Sequence, residues 1–158
     1  MKTVLITGIG GDIAQSVATI IKENRPDIRL VGTDMNLKHG GSLFVNEVLK
    51  VPNALSEGYL NHMREIIKSY SIDVVIPMTE PELSVFTPLI DELGKNRCIT
   101  AGQGVLAIGL DKLETTYALE SLGIPTPWSV RADTETPSEF PCIFKAQLGS
   151  GSKNVFVV

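Results

Sequence analysis

The stretch FPCIFKAQLGSGSKNVFVV, from Phe140 to Val158, contains two apolar runs separated by a glycine- and serine-rich loop. The runs cover residues 141–144 and 155–158, and the loop covers residues 149–152. This arrangement is typical of two antiparallel strands joined as a hairpin. Glycine lets backbone N–H groups approach an anion closely, and successive N–H groups form a concavity that suits phosphate. The stretch therefore predicts a hairpin whose loop can accept a phosphate.

Two lysines stand beside this loop. Lys145 ends the first predicted strand and Lys153 ends the loop, so two ammonium groups bracket the place where a polyphosphate would lie. An ordinary hairpin with solvated lysines is the alternative, because short glycine motifs recur by chance. The loop alone leaves both interpretations open.

The composition excludes several classes of protein. The 158 residues are 43% hydrophobic, which fits one globular domain or one domain with the beginning of another. Lys and Arg number 14 against 18 Asp and Glu, without a basic cluster, so we expect no nucleic-acid partner. No apolar run reaches the length of a membrane span and no signal peptide is recognised, so we expect no membrane partner and a cytoplasmic protein.

The cysteines and histidines give no pattern of a disulfide framework or a zinc site. Cys98 and Cys142 both lie in predicted strands, and we expect two buried thiols rather than a disulfide in a reducing compartment. His39 and His62 have no Cys or His neighbour at ligand spacing, so we predict no zinc site.

Strand and helix patterns alternate through about the first hundred residues. Residues 3–7 form an apolar run that ends in the glycine turn 8–11, and apolar residues then recur at helical spacing. The further predicted strands are 30–33, 48–51, 73–78 and 97–101. The predicted helix features are the apolar positions Ile13, Val17, Ile20 and Ile21, a cap at Ser56, a capping box of Thr79 and Glu82, and a buried stripe of Leu83, Phe86, Ile90 and Leu93.

This alternation predicts an α/β fold, with a five-stranded, mainly parallel, Rossmann-like sheet over residues 1–102. Ligands of such sheets bind beyond the carboxyl ends of the strands. The residues that we expect to converge there as substrate-binding candidates are Gly8, Gly10, Gly11, Asp34, Glu80 and Glu82. The two glutamates have an alternative role as charges that stabilise a helix amino terminus.

The glycine turn leaves a second function open, that of an NAD(P)-binding oxidoreductase domain. GIGGDI resembles the dinucleotide fingerprint GxGxxG, and Asp34 stands where such an enzyme holds a ribose hydroxyl. However, Ile13 occupies the position of the third glycine. The Tyr and Lys pair of short-chain dehydrogenases, four residues apart, is also absent from the sequence.

The pattern changes after residue 102. Asp111 is predicted to cap a helix that stops at Gly123, and a proline-rich turn leads to a short strand predicted at residues 128–130. The polar segment 131–139 precedes the hairpin. We interpret residues 103–158 as the beginning of a second domain.

Four motifs in order along the chain, TVLITGIGG, IDVVIPMTEPEL, GLDKLETTYALESLGIPTP and FPCIFKAQLGSGSKNV, carry a resemblance to a known family. Together they resemble the amino-terminal half of ATP-grasp enzymes, in the branch of the carbamoyl-phosphate synthase large chain and biotin carboxylase. The resemblance implies a pre-ATP-grasp domain over residues 1–102 and an incomplete ATP-grasp lobe over residues 103–158. It also implies a ligase that uses ATP and Mg²⁺ to activate a carboxylate or bicarbonate as an acyl phosphate, which an amine then attacks.

The same resemblance implies roles for particular residues. Lys112 and Lys145 match the family's two nucleotide-contacting lysines, and the loop that closes over the phosphates corresponds to Gly149, Ser150, Gly151, Ser152 and Lys153. No catalytic residue or metal ligand is assigned in this segment, because the family's magnesium ligands follow the hairpin. We therefore expect a carboxy-terminal half or a complementing subunit, and a homodimer is compatible with this arrangement. The apolar residues 154–158 would otherwise form an uncovered strand edge, which argues against the third alternative, a non-catalytic interaction module.

Overall fold

The computed structural model contains the alternating strands and helices that the hydrophobic pattern predicts. It describes residues 1–94, 96–149, 151 and 154–158. The chain divides into two compact units, Met1–Ala101 and Gly102–Val158. No helix in the described ranges combines the length and the apolar character needed to cross a bilayer.

Short connections join the strands and helices of the first unit. The strands are β1 (Thr3–Thr7), β2 (Arg29–Asp34), β3 (Glu47–Lys50) and β4 (Val74–Ile76), and the helices are α1 (Asp12–Asn24), α2 (Tyr59–Ser69), α3 (Glu80–Val85) and α4 (Thr87–Leu93). The strand order is β3-β2-β1-β4, and all three pairings are parallel. The predicted α/β fold with a Rossmann-like parallel sheet is confirmed.

The central strand β1 is buried along its whole length. Leu5 pairs with Val31 on one side and with Val75 on the other, and all three side chains are buried. Ile6 points to the opposite face, where it packs in a cluster that includes Ala18 of α1. Both faces of β1 are therefore covered, which explains the nearly continuous apolar run TVLIT.

The fifth strand predicted at residues 97–101 is wrong at that length. Among the described residues of this segment, only Cys98 makes a parallel bridge, to Val75. The N–H of Val75 donates to the carbonyl of Arg97 at 2.7 Å, and the carbonyl of Val75 accepts from Ile99 N at 2.9 Å. The N–H groups of Arg97 and Cys98 are directed to the carbonyl of Gly94, so the turn there takes the donors that a longer ladder would need.

Two predicted helix features are also wrong. Ser56 does not cap α2, because its N–H donates to Asn53 in a turn and the helix begins after Gly58. The single helix predicted through Phe86 is divided into α3 and α4 at that residue. Pro88 has no N–H to continue the helical ladder, which accounts for the break.

The apolar stripe predicted for α1 is only half buried. Val17 and Ile21 pack against the core, but Ile13 and Ile20 are 67% and 60% exposed. The fully buried positions are instead small residues, since the face toward the sheet carries Ala14 and Ala18. Small side chains allow the helix to lie close to the sheet.

The second unit contains two helices and a two-stranded antiparallel sheet in its described residues. The elements are α5 (Gln103–Gly109), α6 (Lys112–Ser121), β5 (Ile143–Lys145) and β6 (Val155–Val157). Phe144 pairs with Phe156, and Lys145 pairs with Val155, so the predicted hairpin is present. Residues 128–130 do not form the predicted strand. Every residue of β5 and β6 is exposed.

Candidate functional site

A pocket of about 620 Å³ lies within the second unit. Lys112, at the start of α6, and Lys145, at the end of β5, both line it. The structure therefore brings together two lysines that the sequence predicted as one site. The rest of the lining includes Gln147 and the apolar side chains Leu113, Trp128, Ile143 and Phe144.

Lys112 is held by the residues that lead into the glycine-rich loop. Its backbone N–H donates to the carbonyl of Gln147 at 3.1 Å, and its ammonium donates to the carbonyl of Gly149 at 2.6 Å. The residue before it, Asp111, caps α6 by accepting from Leu113 N at 2.9 Å and Glu114 N at 3.1 Å. The predicted helix cap at Asp111 is confirmed.

Asp111 also contacts the loop side of the pocket. Its carboxylate accepts from the side-chain amide of Gln147 at 2.7 Å, and its backbone forms an antiparallel bridge with Leu148. The hydrogen bond from the backbone of Glu114, followed by that from Gln147, holds the pKa of Asp111 below its ordinary value. Neither Asp111 nor Gln147 was a candidate site residue, because their contact joins positions that are far apart in the sequence.

Lys145 differs from Lys112 in the contacts of its ammonium group. No other described residue gives it a hydrogen bond or an ion pair. It shares a face of β5 with Ile143 and lies opposite the face of Phe144, as strand alternation requires.

The loop is described only at two of its predicted residues. Gly149 and Gly151 have φ of 109° and 68°, and a Cβ added to either would meet no described atom within 4 Å. These positive values favour glycine over other residues. Ser150, Ser152 and Lys153 lie outside the described residues, so their predicted roles stay predictions.

A second polar cluster lies at the carboxyl edge of the sheet in the first unit, around Glu82. Its carboxylate accepts hydrogen bonds from the hydroxyls of Thr7 at 2.5 Å, Thr79 at 2.7 Å and Tyr59 at 2.7 Å. Thr79 also caps α3, where its hydroxyl accepts from Glu82 N at 3.4 Å. The side chain of Glu82 is only 5% exposed, whereas Glu80 is exposed to solvent.

Burial and the charge of Glu82 raise the pKa of Tyr59 far above its ordinary value, with burial the larger cause. Tyr59 therefore stays a hydrogen-bond donor. Sequence analysis missed Thr7 and Tyr59, which are separated from Glu82 by 75 and 23 positions.

N–H groups of the glycine turn donate hydrogen bonds to other groups of the chain. Gly10 N donates to Asp34 Oδ2 at 2.9 Å, Gly11 N donates to Gly8 O at 2.9 Å, and Ile9 N donates to Thr33 O at 3.0 Å. Gly8 has a φ of 58°, and a Cβ there would clash with Thr79 Cγ2. The predicted convergence of Gly8 and Gly10 with Thr79 and Asp34 is therefore real, but it is a packed turn whose amides are already paired.

His39 closes the space beside this turn. A Cβ on Gly10 would lie 2.8 Å from both His39 Cδ2 and Asp34 Oδ2. His39 Nδ1 accepts from Gly41 N at 2.9 Å, so the proton of the neutral ring is on Nε2, which lies 3.8 Å from Asp34 Oδ2. The other oxygen of Asp34 accepts from Asn36 N at 2.9 Å. Because both oxygens of Asp34 are engaged and His39 packs against Gly10, the geometry argues against the dinucleotide alternative.

Metal ligands do not form a cluster in the part of the chain that the structure describes. No three side chains of His, Cys, Asp or Glu come together there. Asp133, which lines the pocket of the second unit, is paired with Arg131 at 2.7 Å.

Part of the chain matches a known protein family. The family model described as "PylC-like, N-terminal domain" matches residues 4–100. No curated protein matches the chain.

Similar solved structures cover nearly the whole chain. They include N5-carboxyaminoimidazole ribonucleotide synthetase from Thermotoga maritima, with a TM-score of 0.68, 18% identity, and coverage of 99% of this chain and 41% of that one. The biotin carboxylase domain dimer of Hydrogenobacter thermophilus 2-oxoglutarate carboxylase, in complex with MgADP, ADP and bicarbonate, has a TM-score of 0.68 and 17% identity, with coverage of 99% of this chain and 37% of that one. L-amino acid ligase from Bacillus licheniformis has a TM-score of 0.67 and 17% identity, with coverage of 100% of this chain and 39% of that one. At these identities the likeness shows the fold, and the chain spans about two fifths of the length of these proteins.

Proposed function

Because the chain belongs to the family of PylC-like N-terminal domains through residues 4–100, we propose that it is the amino-terminal part of an ATP-dependent carboxylate–amine ligase of the ATP-grasp type. In the proposed reaction, ATP converts a carboxylate or bicarbonate into an acyl phosphate, and an amine then displaces the phosphate. The first unit is the pre-ATP-grasp domain, and the second is the opening part of the ATP-grasp domain. The enzyme acts in the cytoplasm, where the free thiols of Cys98 and Cys142 persist.

The observation that carries the proposal is the meeting of Lys112 and Lys145 at one pocket. Its volume of about 620 Å³ is within the range of small-molecule sites, roughly 300 to 1,000 Å³. Phosphoryl transfer depends mainly on positioning and charge stabilisation, which fixed ammonium groups supply. The apolar lining around Trp128 and Ile143 suits the base of a nucleotide, and the two lysines suit its phosphates.

The two lysines have different proposed tasks. The ammonium of Lys145 has no partner among the described residues, and we assign to it a direct contact with a phosphate. Lys112 is already oriented by Gly149 and meets the nucleotide at the base of the loop. Gly149 and Gly151, together with Ser150, Ser152 and Lys153, form the proposed phosphate-covering loop.

Magnesium is expected with ATP in this reaction, but the described residues do not fit a magnesium site of this chain. We assign its ligands to the carboxy-terminal part of the ligase or to a complementing subunit. No step is assigned to the metal in the described residues.

We propose that residues at the carboxyl edge of the sheet in the first unit maintain the shape of that edge. The turn of Gly8, Gly10 and Gly11 has the amides of Gly10 and Gly11 paired within the chain, Asp34 accepts from Gly10 N, and Glu82 holds the hydroxyls around it. Among the predicted substrate residues here, Glu80 is the exposed carboxylate that is available to an amine-bearing substrate.

Exposed apolar strands support the proposal that the second unit is part of a larger lobe. An isolated hairpin is marginally stable in water, and β5 and β6 expose Phe144 and Phe156 on one face and Ile143 and Val157 on the other. We propose that further strands of the ATP-grasp lobe cover them.

The test is nucleotide binding by the 158-residue chain and by the complete ligase. We expect weak MgATP binding and no hydrolysis by the chain itself, measured by calorimetry. In the complete ligase, Lys145→Ala should weaken nucleotide affinity or lower the rate roughly ten- to a hundredfold, because a charge-assisted contact is lost. Lys22→Ala, which removes an exposed lysine of α1, is the matched control and should change neither.

Two outcomes would contradict the proposal. One is turnover of ATP by the purified 158-residue chain. The other is a Lys145→Ala ligase that melts at a sharply lower temperature while its kinetics stay intact, since that lysine would then be structural.

A further inference from the structure

The amino end of α6 and residues 147–149 are joined by a closed set of polar contacts. Lys112 N donates to Gln147 O at 3.1 Å, Lys112 Nζ donates to Gly149 O at 2.6 Å, and Gln147 Nε2 donates to Asp111 Oδ2 at 2.7 Å. The backbones of Asp111 and Leu148 form a bridge beside them. Lys112 is thus fixed at its backbone and at its ammonium by the same short segment.

The two oxygens of Asp111 have separate tasks. Oδ1 alone accepts both capping N–H groups, from Leu113 and Glu114. Oδ2 accepts the amide of Gln147 and takes no part in the cap. Capping therefore does not require Oδ2, because a serine or asparagine at this position also caps a helix well.

The contact between Asp111 and Gln147 bears on the pocket through Lys112. Gln147 and Lys112 line the pocket, whereas Asp111 is not among its lining residues. A lysine side chain loses considerable rotamer freedom when it is held in one place. If residues 147–149 already hold the ammonium before the nucleotide binds, the entropy cost of fixing this side chain adds less to the free energy of binding.

We infer that Asp111 and Gln147 form a positioning pair that holds residues 147–149 against α6 and so places the ammonium of Lys112 for the nucleotide. The inference rests on the proposed function, since the pocket must bind a nucleotide for the pair to matter. Asp111 is a positioning residue, because it acts through Gln147 and Lys112.

The sign of the expected effect separates positioning from simple electrostatics. Asp111 carries a negative charge next to a site for a polyanion, so loss of that charge should by itself strengthen nucleotide binding or leave it unchanged. The positioning role predicts weaker binding when the contact to Gln147 is lost.

Five variants of the complete ligase test the inference, with MgATP as the probe and calorimetry as the measurement. Gln147→Leu and Asp111→Ser both remove the contact, and each should raise the dissociation constant about tenfold, as expected for one hydrogen bond. Asp111→Asn removes the charge but keeps the cap. If the side-chain amide of Gln147 rotates by 180°, its oxygen can accept from the new asparagine, so the contact is kept. The nucleotide affinity of this variant should therefore stay within about twofold of the wild type. Lys112→Ala combined with Gln147→Leu should bind no more weakly than Lys112→Ala alone.

The outcomes distinguish this inference from the proposed function. If Lys112→Ala weakens binding while Gln147→Leu and Asp111→Ser bind like the wild type, the positioning pair is wrong and the nucleotide site stands. If every variant that loses affinity also melts at a lower temperature, the pair is only structural and the inference is overturned. If the wild type binds no MgATP at millimolar concentration, or if Lys112→Ala binds like the wild type, the proposed function fails and the inference fails with it.

Discussion

The central strand of the first unit and the two strands of the second unit are buried to opposite extents. Every residue of β1 in the first unit is buried, whereas every residue of β5 and β6 in the second unit is exposed. Both units have apolar strand sequences, so the difference lies in what covers them. The first unit has helices on its sheet and its own core, while the second unit holds apolar strands for which its described residues supply no cover.

The same contrast holds for the polar groups. In the first unit, Glu82 is surrounded by three hydroxyl donors of the chain, and Asp34 is engaged by two backbone N–H groups. In the second unit, the ammonium of Lys145 has no described partner and lines a pocket. The proposed nucleotide site thus lies where the described residues leave a charge without a partner.

The largest predicted effect comes from one substitution made in both units. Ile6→Ala in β1 should destabilise the first unit by about 2–5 kcal/mol, because the side chain is 0% exposed and its removal leaves a cavity. Ile143→Ala in β5 should change stability by less than about 0.5 kcal/mol, because that side chain is 57% exposed. Chemical denaturation followed by circular dichroism, with fluorescence of Trp128 for the second unit, measures both.

This pair also tests whether the second unit has a cover in the complete ligase. If the further lobe packs on β5, Ile143→Ala should become several times more destabilising there than in the 158-residue chain. An equal small effect in both proteins would mean that this face of β5 stays in water.

A smaller effect is expected from the buried polar cluster. Glu82→Gln should destabilise the first unit by about 1–3 kcal/mol, since a neutral amide cannot accept from all three hydroxyls. Glu80→Gln is the control two positions earlier, and its exposed side chain should make little difference. Thermal melting of both variants checks the prediction, and equal melting temperatures would show that the network around Glu82 contributes little.

The smallest predicted effect is the dependence of the second unit on pH through Asp111. Its pKa is lowered from 3.8 in the folded protein, so the contribution to stability is present above that value and is lost as the pH falls through the folded pKa. The difference in melting temperature between the wild type and Asp111→Asn should therefore shrink between about pH 5 and pH 2. A difference that stays constant over this range would contradict the assigned contacts of the carboxylate.

Much of the fold follows from local patterns in the sequence. The apolar run of β1, the capping box at Thr79 and the hairpin around residues 149–151 were predicted from neighbouring residues, and the structure contains them. The α1 stripe was predicted less well, because helical spacing identifies Ile13 and Ile20 as apolar but does not show that Ala14 and Ala18 face the sheet. The resemblance to the amino-terminal half of ATP-grasp enzymes is confirmed at the level of family and fold.

The candidate sites were harder to predict, because their contacts join distant positions. Glu82 was found as part of a capping box, but its bond to Tyr59 depends on how α2 packs beside α3. Gln147 was one polar residue before a loop, and only the fold brings its amide to Asp111. Lys112 and Lys145 were predicted from a family resemblance, and their assigned contacts with nucleotide stay predictions.

The strand order of the first unit has a consequence for how the protein folds during synthesis. β1 is central, yet one of its two neighbours is β4, and the bond from Thr3 N to Asp73 Oδ2 spans 70 positions. β1 therefore waits for some 70 further residues to leave the ribosome before that edge can pair. Long-range parallel pairing is slow, and an unpaired apolar edge invites association with other chains. The nascent chain is most exposed to aggregation in this interval, when β1 and β2 are complete and β4 has not yet emerged.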